Sequence, residues 1–558
     1  LWSPFFWRLF GERNDRPAAR SHWGKSQRLK YDDCGQLVSF TDATGPTTSP
    51  VRWPARHRPA RTAPERLARW QDRQRRPPGG AEGSADPMTW LASELARERD
   101  EALEHGLDLL RETWRSFDAA RPDQPTLSDA VAELVAAPLP ANGVGLTHAL
   151  DDAAGVLDQS LAQSRPRYFG YVGSSGLGSA VLGDALAASH DVNLAAESGA
   201  AHRVEQQTLR WVGELVGYPV DGGTFASGGM VSNLTALAAA RTRALPDSRT
   251  RGVADARPTV YTSADAHSSV ERAVEVLGLG RDNLRAVPVD ARRRMDAAAL
   301  RRLVAADVAD GRTPIAVVAT AGTTLTGAVD PIGEIAEVCA EHGIWLHVDG
   351  AYGLPGAATM TASPLYHGLE RADSVTVDAH KWLFVPKACS VLMVRDATTL
   401  RTAFAHEAPY MLEEEGYAHP VDTTLEYSRP FRSLKLWLAL RAHGANPFRT
   451  AIAENLRQAQ ELYDQVLAHP RMEPVLDRPD LSIVPFRRIP AVGDVDRHNM
   501  RLARVMQEDG RVYLTSAVID GVGCLRPCLV NFRTTDDDVR SIIEVADELG
   551  ACLEASDA

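Results

Sequence analysis

The chain has 558 residues and a formal net charge of −12, too long for one compact core, so more than one folded unit is expected. Its acidic balance argues against a nucleic-acid binder, whose phosphates it would repel, and no run reaches the roughly 18 uninterrupted apolar residues of a membrane-spanning helix. Six cysteines make no disulfide framework in a chain of this size, which points to a reducing cytoplasm; Cys524 and Cys528 lack a second pair or clustered histidines, so no metal site is read.

Residues 1–87 stand apart. They hold 16 Lys and Arg against 9 Asp and Glu, whereas the remainder holds 45 against 64. This stretch is rich in Pro, Arg and Gly ("RHRPARTAPERLARWQDRQRRPPGG") and shows no sustained period, so a disordered basic extension is expected. Met88 sits at the break in composition, and the folded protein is expected to start there. From Met88, "MTWLASELARERDEALEHGLDLLRETWRSF" spaces its apolar residues for a helix. Shorter helical pieces separated by Pro and Gly follow over about 127–165, giving an N-terminal helical segment, 88–175.

From about 176 the pattern alternates. Short β-rich runs ("PTVYTS", "PIAVVAT", "IWLHVD", "SVTVD", "CSVLMVR") are separated by helical stretches such as "LRRLVAADVAD" and "IGEIAEVCAEHG". That is the mark of an α/β domain with a mostly parallel sheet, here placed at 176–438. The runs are continuously apolar, as strands covered on both faces are. A smaller α+β domain is expected over 439–558. It ends in a helix capped by Asp536–Asp538, with Val539, Ile542, Ile543, Ala546 and Leu549 on its apolar face.

Ligands of open α/β sheets bind beyond the carboxyl ends of the strands, and several polar residues fall there. "VTVDAHKW" ends a strand in Lys381, backed by His380 and Trp382. A buried ammonium is costly unless it is paired or its charge removed, and a Schiff base with a carbonyl cofactor removes it. Asp349 follows "IWLHV". It is either a solvated loop residue or a carboxylate that keeps a pyridine nitrogen protonated. Ser227-Gly228-Gly229 precedes a helix, where backbone N–H groups and the positive helix end suit a phosphate, or form only a turn. It is not the dinucleotide G-x-G-x-x-G pattern. His267 follows "TVYTS" as a structural imidazole or a flat stacking partner. Thr323 and Thr324 follow "PIAVVAT" as turn hydroxyls or cofactor contacts. The ordered set of glycine turn, histidine, threonine, aspartate and lysine points to one cofactor site.

With "HSSVERA", "GTT", "IWLHVDGAYG", "DAHKWL", "FRSLKLW" and "LRPCLVNFRTT" in that order, the chain from about residue 88 onward resembles the group II amino-acid decarboxylases, fold-type I enzymes of pyridoxal 5'-phosphate. The resemblance implies that Lys381 holds the cofactor as a Schiff base and Asp349 pairs with the pyridine nitrogen. His267 would stack on one ring face and Ala351 pack on the other. Ser227, Gly228, Gly229 and Met230 would hold the phosphate. Thr324 would lie near the ring, with His380 beside the phosphate and the lysine. Tyr171, Ser174 and Arg526 would face the substrate. Tyr410, in "FAHEAPYMLEEEGYAHP", falls in the family's catalytic loop, where a tyrosine protonates the substrate carbon after CO2 leaves and a phenylalanine gives an aldehyde instead. A homodimer is implied, with residues 88–175 as a dimerisation segment and the loop reaching the partner's site.

The chain departs from the family pattern in three places. Asp378 replaces the asparagine of "N-P-H-K" and sets an acid beside the phosphate. "SGAAHRVE" carries His202 in place of a threonine. Asn193 and Ala195 stand where aromatic-acid decarboxylases have aromatics, while Tyr171, Val172 and Ser174 still suit an aromatic substrate at the pocket entrance. The reading is decarboxylation of an L-amino acid, aromatic side chains favoured. The alternatives are another pyridoxal-phosphate carbon–carbon lyase, an aldehyde synthase, or a non-catalytic relative.

Overall fold

The computed structural model describes residues 87–118, 127–195, 198–253, 256–406 and 419–557, and the backbone of three short strands nearer the N-terminus. Those strands, Arg28–Tyr31 (β1), Leu37–Asp42 (β2) and Gly45–Pro46 (β3), pair antiparallel in chain order. They fall inside the stretch 1–87 expected to lack regular structure; its other residues, apart from Pro87 at the start of a helix, lie outside the described ones.

The chain divides into two units. The first includes most of the helix Pro87–Ser116 and the helices Asp129–Ala136 and Leu146–Asp158. There His105 Nε2 meets Asp151 Oδ1 at 2.6 Å, and Glu98 accepts the Leu146 N–H.

The second unit carries a seven-stranded sheet: Gly222–Ala226 (β4), Pro258–Ser263 (β5), Leu284–Val287 (β6), Thr313–Thr320 (β7), Trp345–Asp349 (β8), Ser374–Asp378 (β9) and Ser390–Val394 (β10). The order is β4-β10-β9-β8-β7-β5-β6. Every pair is parallel except those of β10, which runs against both neighbours. All residues of β4, β5, β8, β9 and β10 are buried, because helices such as Gly229–Ala244, Ala297–Ala309 and Ile332–His342 cover the sheet. That is why these runs read as unbroken apolar sequence.

Register decides what meets at the sheet's edge. Thr320 pairs with Asp349, and Asp349 with Thr376, so β7 and β8 end level and β9 runs on beyond them to Asp378. Ser390 at the start of β10 pairs with Ala226 on one side and Asp378 on the other. The turn after β4 and the segment after β9 are therefore brought together across a single residue, although about 150 positions separate them.

A smaller antiparallel sheet follows: Met472–Pro474 (β11), Phe486–Arg488 (β12), Thr515–Ile519 (β13) and Val522–Arg526 (β14), in order β11-β12-β14-β13. Its core joins Phe486, Leu502, Leu514 and Leu525 to the helix Asp536–Asp557, whose Val539, Ile542 and Ala546 are fully buried as the spacing predicts. The cap differs from the expectation. Thr535 and Asp538 exchange hydrogen bonds, the Thr535 N–H to Asp538 Oδ2 at 2.9 Å and the Asp538 N–H to Thr535 Oγ1 at 3.3 Å. This reciprocal pair places the capping hydroxyl one residue before the acidic run.

Candidate active site

Lys381 stands on a single helical turn, Ala379–Trp382, directly after β9. The turn is anchored by Trp382, which is fully buried, stacks on Tyr352 at 5.4 Å and donates its indole N–H to Asn455 at 3.1 Å. The loop beyond is pinned by buried Lys435, whose Nζ lies 3.0 Å from Lys387 O and pairs with Asp184 at 2.7 Å. So the apolar half of "HKWLFV" fixes the backbone, and the lysine is left to project.

The Lys381 ammonium lies 3.1 Å from Asp378 Oδ2. Asp378 is 2 % exposed, and its Oδ1 has no hydrogen-bond partner among the described residues. His380 Nε2 is 3.8 Å from the same carboxylate, and its Nδ1 is 3.0 Å from Cys389 O. Burial holds this imidazole below its ordinary range, with Asp378 opposing. Lys387, which sequence reasoning passed over, has its amine held below the usual lysine range by burial and then by the Lys381 charge.

Opposite Asp378 begins the sixteen-residue helix Gly229–Ala244, with Gly228 in extended backbone at its N-cap. A Cβ on Gly229 would meet Asp378 Oδ2 at 3.0 Å and Ala351 Cβ at 3.1 Å. Only glycine leaves the helix end open here, with the first N–H groups free of intrahelical partners.

Asp349, at the end of β8, is 6 % exposed. Its Oδ1 accepts the Ala351 N–H at 3.1 Å and its Oδ2 accepts from Asn233 Nδ2 at 2.7 Å. Asn233 also reaches Ser269 Oγ at 3.0 Å and His347 Nε2 at 3.0 Å. His267 Nδ1 accepts the Ser269 N–H at 3.1 Å, which leaves Nε2 as the protonated nitrogen of a neutral ring.

One cavity of about 430 Å³, counting the part open to solvent, is lined by Gly229, Met230, His267, Thr324, Asp349, Ala351, Asp378 and Lys381 from the sequence-based set. Asn233, Ser269, Thr320, Gly322 and Tyr352 join them. Ser227 and Gly228 lie in the turn just before it, and His380 adjoins it through Asp378. The residues fit a flat aldehyde with an anionic tail. There is a carbonyl-reactive amine, an open helix N-terminus for an anion, a carboxylate for a ring nitrogen, and an imidazole and a methyl group for two ring faces. The orphaned Asp378 oxygen beside the helix end is the one misfit.

The expected substrate contacts are placed differently from one another. Tyr171 has φ of 51° and is 59 % exposed, an uncommon backbone state for a non-glycine residue. The Ser174 hydroxyl points at Val385 O, 3.4 Å away. Arg526 donates to the carbonyls of Tyr171 at 2.7 Å, Leu325 at 3.2 Å and Thr324. Its guanidinium thus ties the Tyr171 and Thr324 segments together. Thr323 turns inward to Thr326 at 2.9 Å, which leaves Thr324 to the cavity. The Asn193 side-chain oxygen is occupied by the N–H groups of Ala195 and Arg429. Tyr410 lies outside the described residues. Among the described residues no cluster of His, Cys, Asp or Glu could hold a metal ion, and no helix is long and apolar enough to cross a membrane.

Asn233 and Ser269 carried a signal that went unread. Asn233 is four residues after Gly229 and so shares its helix face; Ser269 is two residues after His267.

Residues 131–489 match the model of the pyridoxal-dependent decarboxylase conserved domain. The chain is 31 % identical over 430 residues to the aromatic-L-amino-acid decarboxylase of Bacillus atrophaeus, covering 75 % of this chain and 88 % of that one. It is 32 % identical over 427 residues to the L-2,4-diaminobutyrate decarboxylase of Rhizobium meliloti (strain 1021), covering 75 % and 84 %. Among solved structures it is similar to Oryza sativa TDC with PLP and tryptamine, with a TM-score of 0.77 and 26 % identity over 82 % of this chain and 99 % of that one.

Proposed function

We propose that this chain, which belongs to the pyridoxal-dependent decarboxylase family, acts on an L-amino acid with an aromatic side chain and releases the matching amine. It is a carboxy-lyase of amino acids, and its cofactor is pyridoxal 5'-phosphate. When bound, that cofactor supplies a conjugated ring into which the electrons left by departing CO2 can spread. The rest falls to the chain's own residues. Ser227 and the N–H groups of Gly228, Gly229 and Met230 bind the phosphate. Asp349 holds a proton at the ring nitrogen. His267 and Ala351 cover the two ring faces, and Thr324 lies against the ring. The Lys381 amine would hold the cofactor's carbonyl group. Tyr171 and Ser174 shape the entrance, and Arg526 holds the Tyr171 backbone in place. Tyr410 delivers a proton to the substrate carbon. The working unit is a homodimer in the cytoplasm, with a helical dimerisation segment at 88–175, a cofactor domain at 176–438 and a small domain at 439–558. Cys339, Cys389, Cys524 and Cys528 are buried free thiols, which agrees with a reducing compartment.

The single observation that carries the site assignment is the convergence of Lys381, Asp349 and the Gly229 helix end, from three different strand ends, on one cavity. The aromatic reading is supported by the similarity to the Bacillus atrophaeus enzyme and by exposed Tyr171, whose backbone Arg526 ties to that of cavity-lining Thr324. Steady-state rates with L-tyrosine, L-tryptophan, L-glutamate and L-2,4-diaminobutyrate test it. The expected kcat/KM is higher for an aromatic substrate by about tenfold or more, the discrimination an apolar pocket can supply. A preference for the acidic or cationic substrate would overturn the side-chain assignment.

A further inference from the structure

Behind Asp349 runs a buried polar chain that joins Trp345 and His347, in the "IWLHVDGAYG" motif, to Ser374 and Asn233, which lie outside the motifs named for the family. Trp345 Nε1 lies 2.8 Å from Ser374 Oγ, and Ser374 Oγ lies 2.8 Å from His347 Nδ1. His347 Nε2 is 3.0 Å from Asn233 Oδ1, and Asn233 Nδ2 is 2.7 Å from Asp349 Oδ2. No member is more than 6 % exposed.

The direction of every hydrogen bond follows from the two ends. An indole N–H can only donate, so Ser374 accepts from Trp345. The hydroxyl proton of Ser374 then has His347 Nδ1 as its partner, and a neutral imidazole with Nδ1 accepting carries its proton on Nε2. That proton goes to Asn233 Oδ1, which turns the Asn233 NH2 group toward Asp349 and Ser269. From the other end, an ionised Asp349 can only accept, so it requires the same NH2 group. The two deductions meet without conflict. Burial holds His347 down to about 4, outweighing the charge of Asp349 and the backbone hydrogen bond to Ser374, which both oppose it, so the neutral ring that the chain requires is the one present near neutral pH. A protonated His347 would donate from both nitrogens and strand the Ser374 hydroxyl in the core.

We propose that Trp345, Ser374, His347 and Asn233 form a one-way hydrogen-bond relay that fixes Asp349 as an ionised acceptor, with His347 and Asn233 as positioning residues for its contact to the cofactor ring. The relay extends to the stacking residue through Ser269, which accepts from Asn233 and donates its N–H to His267. The inference rests on the reading of Asp349 given above.

The test uses holoenzyme purified with pyridoxal phosphate and compares His347→Leu, His347→Gln, Asn233→Ala and Asp349→Ala. The readouts are the visible absorption band of the bound cofactor, the dissociation constant for pyridoxal phosphate, kcat and KM, and the melting temperature. In His347→Gln the amide nitrogen can replace Nε2 as donor to Asn233. His347→Leu and Asn233→Ala are expected to shift the band toward that of Asp349→Ala. Their kcat should fall roughly 10- to 100-fold, the worth of a hydrogen bond to a charged group, with KM little changed. His347→Gln should keep the wild-type band and stay within about threefold of its kcat. If Asp349→Ala alters the band while His347→Leu and Asn233→Ala leave it at the wild-type position, the relay is wrong. The same holds if His347→Gln fails as badly as His347→Leu. If Asp349→Ala itself keeps the wild-type band, the reading of Asp349 fails first.

Discussion

Lys381 and Asp378 form an ion pair at 3.1 Å beside an open helix N-terminus, and the chemistry assigned to this corner depends on how the pair responds to a phosphate. Replacing the amine, Lys381→Ala, is expected to lower turnover by at least about a thousandfold and to abolish the visible band of the bound cofactor. A variant that keeps both would remove the basis of the mechanism. Asp378 repels an anion at Gly229. In Asp378→Asn, pyridoxal phosphate should therefore bind more tightly by roughly tenfold, about 1.4 kcal/mol, whereas pyridoxal without the phosphate should gain little. Equal gains for the two ligands would mean that the carboxylate acts on the lysine alone. Tyr410→Phe is expected to divert product from amine to aldehyde, read by mass spectrometry. Lys381, Asp349, His267 and Thr324 were legible because each lies at the end of an apolar strand or in the turn just beyond it. Asn233 and Ser269 were legible only as neighbours of Gly229 and His267; what Asn233 binds is set by folding, since it meets Asp349 116 positions away.

Among the elements, β5, β7, β8, β9 and β10 stood out in the sequence as apolar runs bounded by turn residues. β4 and β6 did not, since "GGTFA" opens with two glycines and "LRAV" is short and partly exposed. Nothing in the strands themselves told that β10 runs antiparallel; that depends on the turn from Lys381 to Ser390, held by Trp382 and Lys435. One ion pair ties the helix Ala200–Val216 to the segment before the helix Ser433–His443. Arg429 meets Glu205 through two bonds, 2.7 and 3.1 Å, with both side chains at most 2 % exposed. Removing the negative partner alone leaves a buried charge uncompensated. Glu205→Gln is expected to cost about 3–5 kcal/mol, whereas Glu205→Leu with Arg429→Met together should cost much less. Urea midpoints of the two variants decide it. Equal losses would show that the pair's volume matters and its charge does not.

At the scale of the whole molecule, buried histidines make stability depend on pH. His347 is held near 4 by burial, against an ordinary value of 6.5, and burial also lowers His380, His443 and His498. Between about pH 6.5 and 4 the unfolded chain binds protons that folded His347 refuses, so stability falls as pH drops through that window. Asp330 acts in the opposite sense. Burial pushes it up to about 7, against the N–H groups of Thr320 and Met295, so its contribution weakens as pH rises toward 7. The melting temperature is expected to decline between pH 6.5 and 4, and His347→Gln should flatten that decline; an unchanged slope in the variant would assign the acid sensitivity to other groups.

This molecule is expected to remove CO2 from an amino acid without further change to the product. That expectation is tested most directly by incubating the purified protein and pyridoxal phosphate with a pool of L-amino acids and identifying the products by mass spectrometry. An amine lighter than its parent by CO2 alone is the predicted result, and it names the substrate in the same step. An aldehyde released with ammonia, or cleavage at any other carbon–carbon bond, would contradict the account.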